Sequence, residues 1–257
     1  MAINSTIKII LIRLASIFYF SKKSKAIFYH DIHSNKKYTK MSTSADLLKE
    51  HIKIIRESGY EIVSDITKPN GQIEISFDDG FLGLFDNIHI INEFKIPIKL
   101  FIVISYLGKQ NHINKEQLLA LQNNTFITIA SHTESHKILH SIPENEIIDE
   151  LTNSKKVLED FINYKINSIC FPEGKFSKKV VEIAESVGYT RQYCSIPGFY
   201  FDEFLPNVKK RSLVQFAKEK EFRSILKGGD HFLRSWYQKK HYKQGLLCCQ
   251  NRSMLPG

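Results

Sequence analysis

The sequence predicts an α/β barrel of parallel strands in a single domain, and three observations carry the prediction. Short apolar runs alternate with helix-patterned segments along most of the 257 residues, which means parallel strands joined by crossover helices. About seven or eight such units follow one another with no linker between them, which points to a closed or nearly closed barrel. Polar, chemistry-bearing residues stand directly after several strands, where the carboxyl ends of barrel strands hold active sites.

Taken in order, Ile7 to Phe20 is apolar but interrupted by Lys8 and Arg13. It is too short and too charged for a membrane span, and it lacks the unbroken core and cleavage site of a signal peptide. Ile9, Ile10, Ile12, Leu14, Ile17 and Phe18 can share a helical face ahead of Lys22, Lys23 and Lys25. Residues 1–25 are therefore expected to form a helix, either packed on the barrel or lying in a membrane interface. The barrel itself is expected over residues 26–235. Lys25 to His30 reads as its first strand, ending in His30-Asp31-Ile32-His33. Residues 43–59 form a helix capped by Ser42 or Ser44 and stopped by Gly59. Ile62-Val63 is a short strand, and Ile73 to Phe77 another with apolar residues at alternate positions. Leu82 to Phe94 has helical spacing and is ended by Pro97, while Ile98 to Ile104 is apolar enough to be buried on both faces.

A short helix around Leu118 and Leu119 precedes the strand Phe126 to Ala130. Ser141-Ile142-Pro143-Glu144 has the form of a capping box for a helix running to about Tyr164. Strands then follow at Ile166–Phe171, Tyr189–Ser195 and Val208–Val214, with helices at Ser177–Gly188 and Phe216–Leu226. From Trp236 the pattern is lost, so residues 236–257 read as a basic, poorly structured tail.

With 42% hydrophobic residues, one substantial core is affordable for this length. Cys170, Cys194, Cys248 and Cys249 have no metal-type spacing or disulfide framework and read as reduced thiols. The net charge of +9 is uneven. Residues 1–40 carry about +7, residues 208–243 about +8, and the stretch between them about −7. A nucleic-acid protein spreads basic and aromatic residues over its binding face, whereas here the motifs lie in the acidic middle, so nucleic acid is not an expected partner.

The chemistry is concentrated at two strand ends. Ile73-Glu74-Ile75-Ser76-Phe77 runs into Asp78-Asp79-Gly80. Paired carboxylates in a confined space repel unless a metal or counter-charge is near. The strand through Ala130 ends in Ser131-His132-Thr133-Glu134-Ser135-His136. Two imidazoles four residues apart and one carboxylate make the three-ligand set of a catalytic zinc-type site with an open position. A second, adjacent carboxylate is then placed to act as a base. His30 and Pro172-Glu173-Gly174 also follow predicted strands, so four segments converge on one rim.

Ser76-Phe77-Asp78-Asp79-Gly80, Ser131 to His136 and Phe171-Pro172-Glu173-Gly174 resemble the first three motifs of the polysaccharide deacetylase family, carbohydrate esterase family four. The likeness covers roughly residues 26–215, and Phe28-Tyr29-His30-Asp31-Ile32 is similar to the poly-N-acetylglucosamine deacetylase branch. The resemblance implies a distorted (β/α)7-type barrel and metal-dependent removal of N-acetyl groups from a sugar of a polysaccharide or lipid-linked glycan precursor. It implies Asp78 as general base, Asp79, His132 and His136 as ligands of a divalent metal such as zinc, and His30 as general acid. It further implies that the Phe171–Gly174 segment, through the backbone at Glu173, serves the oxyanion, with Arg211 also near the substrate.

Two departures stand out. Many members have Arg where this chain has Cys170, so the base must be oriented by another residue, with Arg191 and Arg211 as candidates. Tyr is common where this chain has Glu173. Deformylation of a lipid-linked sugar, and a catalytically lapsed barrel that only binds glycan, are the competing expectations. The basic, partly apolar N-terminal segment gives one more: a cytoplasmic protein in peripheral contact with an anionic inner membrane face.

Overall fold

The computed structural model describes residues 5–18, 21–202 and 204–243. Nine strands make one sheet: β1 (Lys25–Tyr29), β2 (Glu61–Val63), β3 (Gln72–Phe77), β4 (Ile98–Ile102), β5 (Ile127–Ser131), β6 (Ser168–Cys170), β7 (Arg191–Tyr193), β8 (Val208–Lys209) and β9 (Arg211–Leu213). The order is β8-β7-β6-β5-β4-β3-β1-β9, every neighbouring pair is parallel, and β2 adds to the first half of β3. The two ends of that order are one stretch of chain. Residues 208–209 pair with β7, residues 211–213 pair with β1, and only Lys210 separates them. One segment thus closes the sheet into a barrel, as the alternation predicted.

Period-two alternation decides what each side of the barrel wall sees. On β3, Ile73, Ile75 and Phe77 join the large apolar cluster beneath the helices. Glu74 and Ser76 point the other way, to Lys99, Tyr193 and Arg211. The interior therefore holds a polar column between aromatic walls rather than layers of aliphatic side chains. Lys99 Nζ lies 3.0 Å from Glu74 Oε2 and 2.8 Å from Tyr193 Oη, with Phe101, Ala130 and Cys170 packed around. The aliphatic burial is outside, where each enclosed Ile or Leu contributes about 1.5–3 kcal/mol.

The helices are α1 (Ser5–Phe18), α2 (Ala45–Glu57), α3 (Leu82–Asp86), α4 (Ile88–Phe94), α5 (Lys115–Gln122), α6 (Glu144–Ile162), α7 (Lys178–Val187), α8 (Glu219–Leu226) and α9 (Arg234–His241). Ser44 caps α2 as expected, accepting from the Leu47 N–H. Three expectations change. The helix predicted over Leu82–Phe94 is two, because Asn87 turns its side-chain amide back onto the Gly83 carbonyl at 2.8 Å and competes with the helix backbone. The capping box at Ser141 does not form: α6 starts after Pro143, and Ser141 Oγ bonds His140 instead. A reciprocal box forms at Asn114 and Gln117. The tail expected from Trp236 begins as α9, and Tyr242–Lys243 pairs with Phe176–Ser177. It has no apolar stripe to read: His241 Nδ1 donates to the Glu173 carbonyl at 2.9 Å, and Tyr237 and Tyr242 pack against the core. Residues 244–257, with Cys248 and Cys249, lie outside the described residues.

His51 ties α2 to β1 and to the start of α8. Its Nδ1 accepts from Tyr29 Oη at 2.8 Å, its Nε2 donates to the Ala217 carbonyl at 2.6 Å, and its ring stacks on Phe222. Burial pushes its pKa down to about 4. Since the unfolded chain takes up a proton near pH 6.5, this site is fully stabilising above that pH. Its stability is lost as pH falls from about 6.5 towards 4. Urea unfolding across that window should therefore lose slope equivalent to up to one proton in His51→Gln. An unchanged slope would show that His51 protonates in the folded state without cost.

Candidate active site

Strand register sets the site before any side chain is considered. Tyr29 pairs with Phe77, so His30 and Asp78 leave adjacent strands at the same level, and the Asp78 N–H donates to the Tyr29 carbonyl at 3.0 Å. Ile102 pairs with Ser131, and the His132 N–H donates to the Ile102 carbonyl at 2.7 Å. β5 and β6 share only the pair Ser131 and Ile169, so the strands bearing His132 and Phe171–Gly174 are laced together at a single point. All four segments singled out in the sequence reach one rim. Backbone in the left-handed region gathers there too: φ is +73° at both Asp79 and Gly80, +70° at Thr133, +61° at His136 and +54° at Glu173. Non-glycine residues hold such angles only where their surroundings fix them. Around His136 the fixing bonds are Ser135 N–H to Glu150 Oε2 at 2.8 Å and His136 N–H to Thr133 Oγ1 at 3.1 Å.

The two adjacent carboxylates have different surroundings. Asp78 receives a bidentate pair from Arg211, Nη1 to Oδ1 at 2.7 Å and Nη2 to Oδ2 at 2.8 Å. Nη1 also donates to Ser76 Oγ at 2.9 Å, and the guanidinium lies over the Phe28 ring. Burial works against the Asp78 charge, but the guanidinium outweighs it and holds the carboxyl below the usual range. Arg211 is completely buried and does not line the cavity, so it meets Asp78 rather than a substrate, contrary to the expected substrate contact. Of the two arginine candidates, Arg191 is elsewhere, paired with Asp65. The guanidinium missing at Cys170 thus comes from β9, and Cys170 Sγ sits against Arg211 Nη2 at 2.7 Å. The motive for a lapsed site disappears with it.

Asp79 faces the histidines. His132 Nε2 is 3.4 Å and His136 Nε2 is 3.5 Å from Asp79 Oδ1, and that buried oxygen has no hydrogen-bond partner. His132 Nδ1 donates to the Cys170 carbonyl at 2.7 Å, which directs its Nε2 lone pair at the same point. Burial and the neighbouring His132 push His136 down to about 4, so its imidazole is neutral near pH 7, as a ligand must be. Burial also opposes a charge on His132, yet Cys170, Asp79 and Asp78 around it raise its pKa well above the ordinary value. The pocket therefore attracts positive charge. Asp79, His132 and His136 bring one oxygen and two nitrogens within 4.8 Å of one another. This donor set and the orphaned oxygen fit a divalent cation.

His30 stands across from them, its Nδ1 donating to Gln215 Oε1 at 2.7 Å, which leaves Nε2 for other work. Nothing in the sequence marked Gln215 as its partner. His33, three residues on, bonds Ser42 and does not line the cavity. The cavity is about 330 Å³ and is lined by His30, Asp78, Asp79, His132, His136, Phe171, Glu173 and Gly174. Pro172, within that turn, is buried. A Cβ on Gly174 would come within 2.5 Å of Ser195 N, so only glycine fits there. The far wall was not foreseen: it includes Lys8 and Ile12 of α1, Ile225 of α8, and Tyr237, Lys240 and His241 of α9.

Deacetylases are among the solved structures that share this fold. The Streptococcus pyogenes deacetylase PplD in complex with acetate superposes with a TM-score of 0.70 at 15% identity, over 79% of this chain and 96% of its own. BC0361, a polysaccharide deacetylase from Bacillus cereus, gives 0.69 at 20% identity over 80% and 70%. IcaB from Ammonifex degensii gives 0.69 at 14% identity over 81% and 97%. At these identities the likeness establishes the fold. In sequence, residues 65–192 match the polysaccharide deacetylase family model. YxkH of Bacillus subtilis strain 168, provisionally named a polysaccharide deacetylase, is 22% identical over 187 residues, covering 68% of this chain and 66% of its own length. The chain belongs to the polysaccharide deacetylase family.

The Asp78–Arg211 pair makes a stability prediction independent of turnover. Arg211→Met leaves a buried carboxylate uncompensated and should cost about 3–5 kcal/mol in urea unfolding at neutral pH. Because the Asp78 pKa is depressed in the fold, the pair stabilises above the unfolded carboxylate pKa and its contribution is lost as pH falls through the lowered value. The gap between wild type and variant should therefore narrow in acid. A neutral-pH cost below about 1 kcal/mol would mean that the pair is not what holds this end of β9.

Proposed function

We propose that the protein is a metal-dependent hydrolase that removes N-acetyl groups from an amino sugar of a polysaccharide or a lipid-linked glycan precursor. The observation that carries the reading is the division of labour between neighbouring carboxylates: Asp78 is gripped by Arg211, and Asp79 faces two imidazoles. Asp79, His132 and His136 would hold the cation, and two nitrogens with one carboxylate suit zinc. When bound, the cation supplies positive charge that polarises the acyl oxygen and makes water more acidic.

The remaining steps belong to the chain. Asp78, ionised and fixed in direction by two hydrogen bonds, accepts the proton of the attacking water. The backbone N–H of Glu173 is the donor we assign to the developing oxyanion. In that turn the Gly174 and Lys175 N–H groups already donate to the Phe171 and Pro172 carbonyls. His30, with Nδ1–H committed to Gln215, gives its Nε2 proton to the leaving amine, and the proton taken up by Asp78 is passed on through solvent to restore it for the next turnover. The apolar part of the cavity wall, Ile12, Leu213, Ile225 and Leu233, favours a glycan that carries a lipid over a bare polar chain.

The test is release of free amine from an N-acetylglucosamine oligomer by the zinc-loaded protein, with metal content measured on the same samples. Asp78→Asn should abolish turnover and keep the metal, whereas His132→Ala should lose both. His30→Ala should slow turnover by ~10²–10⁴-fold, the usual worth of a general acid. Full metal in His132→Ala would overturn the ligand set, and a loss below about tenfold in His30→Ala would move the acid elsewhere.

A further inference from the structure

α1 has two apolar faces, and only one of them is covered by the described residues. Ile12 and Ala15 face the barrel and are buried. Backbone meets backbone there, since a Cβ on Gly229 would come within 2.2 Å of the Ile12 carbonyl oxygen. On the opposite side Ile7, Ile10, Leu14, Ile17 and Phe18 are 53%, 49%, 54%, 71% and 85% exposed. Their spacing confines them to an arc of about 100°. Single exposed aliphatic residues are ordinary, but five in one stripe on a helix are not. At 14 residues α1 is about 21 Å long, well short of a bilayer core, and no described helix is long and apolar enough to cross a membrane.

Charge identifies the occupant. The chain's two basic regions, about +7 over residues 1–40 and about +8 over residues 208–243, are remote in sequence. The fold brings them together, because α1 packs on α8 and on the Gly229–Leu233 turn. Lys8 Nζ reaches Tyr237 Oη on α9 at 3.3 Å. Arg13 is exposed beside the stripe, Lys22 and Lys23 are exposed just beyond the helix, and α9 ends in Lys239 and Lys240. Phe232, in the turn packed against α1, and Trp236 on α9 are also exposed. A second copy of so basic a side would be repelled. An apolar helix stripe among lysines, arginines and an exposed tryptophan suits the interface of an anionic bilayer.

We propose that α1 lies flat on an anionic lipid bilayer, its outer stripe in the acyl boundary and the basic residues around it on the headgroups. The same helix supplies Lys8 and Ile12 to the wall of the catalytic cavity, so docking brings the cavity beside the lipid surface.

The full chain is sedimented with vesicles of phosphatidylcholine alone or mixed with phosphatidylglycerol, at low and high salt. Binding should need phosphatidylglycerol and weaken with salt. The double variant Leu14→Asp, Ile17→Asp should bind at least about tenfold more weakly. Both positions are exposed, so circular dichroism should be unchanged. Failure of the intact chain to bind, or equal binding by the variant, would overturn the proposal. So would a lipid-free dimer that the same substitutions dissociate, since the stripe would then belong to a second copy.

Discussion

The ion pair between Asp78 and Arg211 is the constraint on which the barrel's interior depends. A carboxylate and a guanidinium enclosed by Phe28, Phe101, Tyr193 and Cys170 are stable only with matched geometry, because each alone would carry a large desolvation cost. The bidentate fit meets that condition and fixes both partners at once. It sets the direction of Asp78, leaves Asp79 the remaining side of the chain reversal at Gly80, and anchors β9 against β1 and β3. Below it the Lys99–Glu74–Tyr193 contacts repeat the device. A polar column of this kind specifies which residues face inward more strictly than an aliphatic filling would.

That strictness explains what could be read in the sequence. The alternation in Ile73 to Asp78 is legible because one side of β3 must be apolar for the helices and the other polar for the column. The same rule put His30, Asp78, His132 and Phe171 at strand ends, and the structure gathers them at one rim. Partners that act across the barrel were not legible. Arg211 could be named only as one of two arginine candidates, and Gln215, just after a strand of three residues, has no local pattern to say what it faces. α9 escaped notice because its contacts are scattered and long-range, His241 on the Glu173 carbonyl and Tyr237 against the core, with no periodic signature. The helix break at Asn87 and the unformed box at Ser141 are side-chain bonds that local propensity alone does not rank.

The two ends of the chain have a role that neither suggests alone. The family match spans residues 65–192, and α1, α8 and α9 all lie outside it. Those helices build the far side of the cavity. Asp78, Asp79, His132 and His136 thus lie within the matched stretch, while much of the cavity wall around them comes from helices outside it. Substrate preference can change there by surface substitutions that leave the polar column intact.

The segment that closes the barrel has a further consequence for how this protein can vary. Residues 208–213 serve both edges of the sheet, and side chains alternate along them, so Arg211 is inward only while the count from β8 is kept. Inserting or deleting one residue beside Lys210 would present a lysine or Ser212 to Asp78 and turn the guanidinium outward among the helices. Most loops in such a fold drift freely in length. This junction behaves like a reading frame, and length variation among close relatives should stop at its borders.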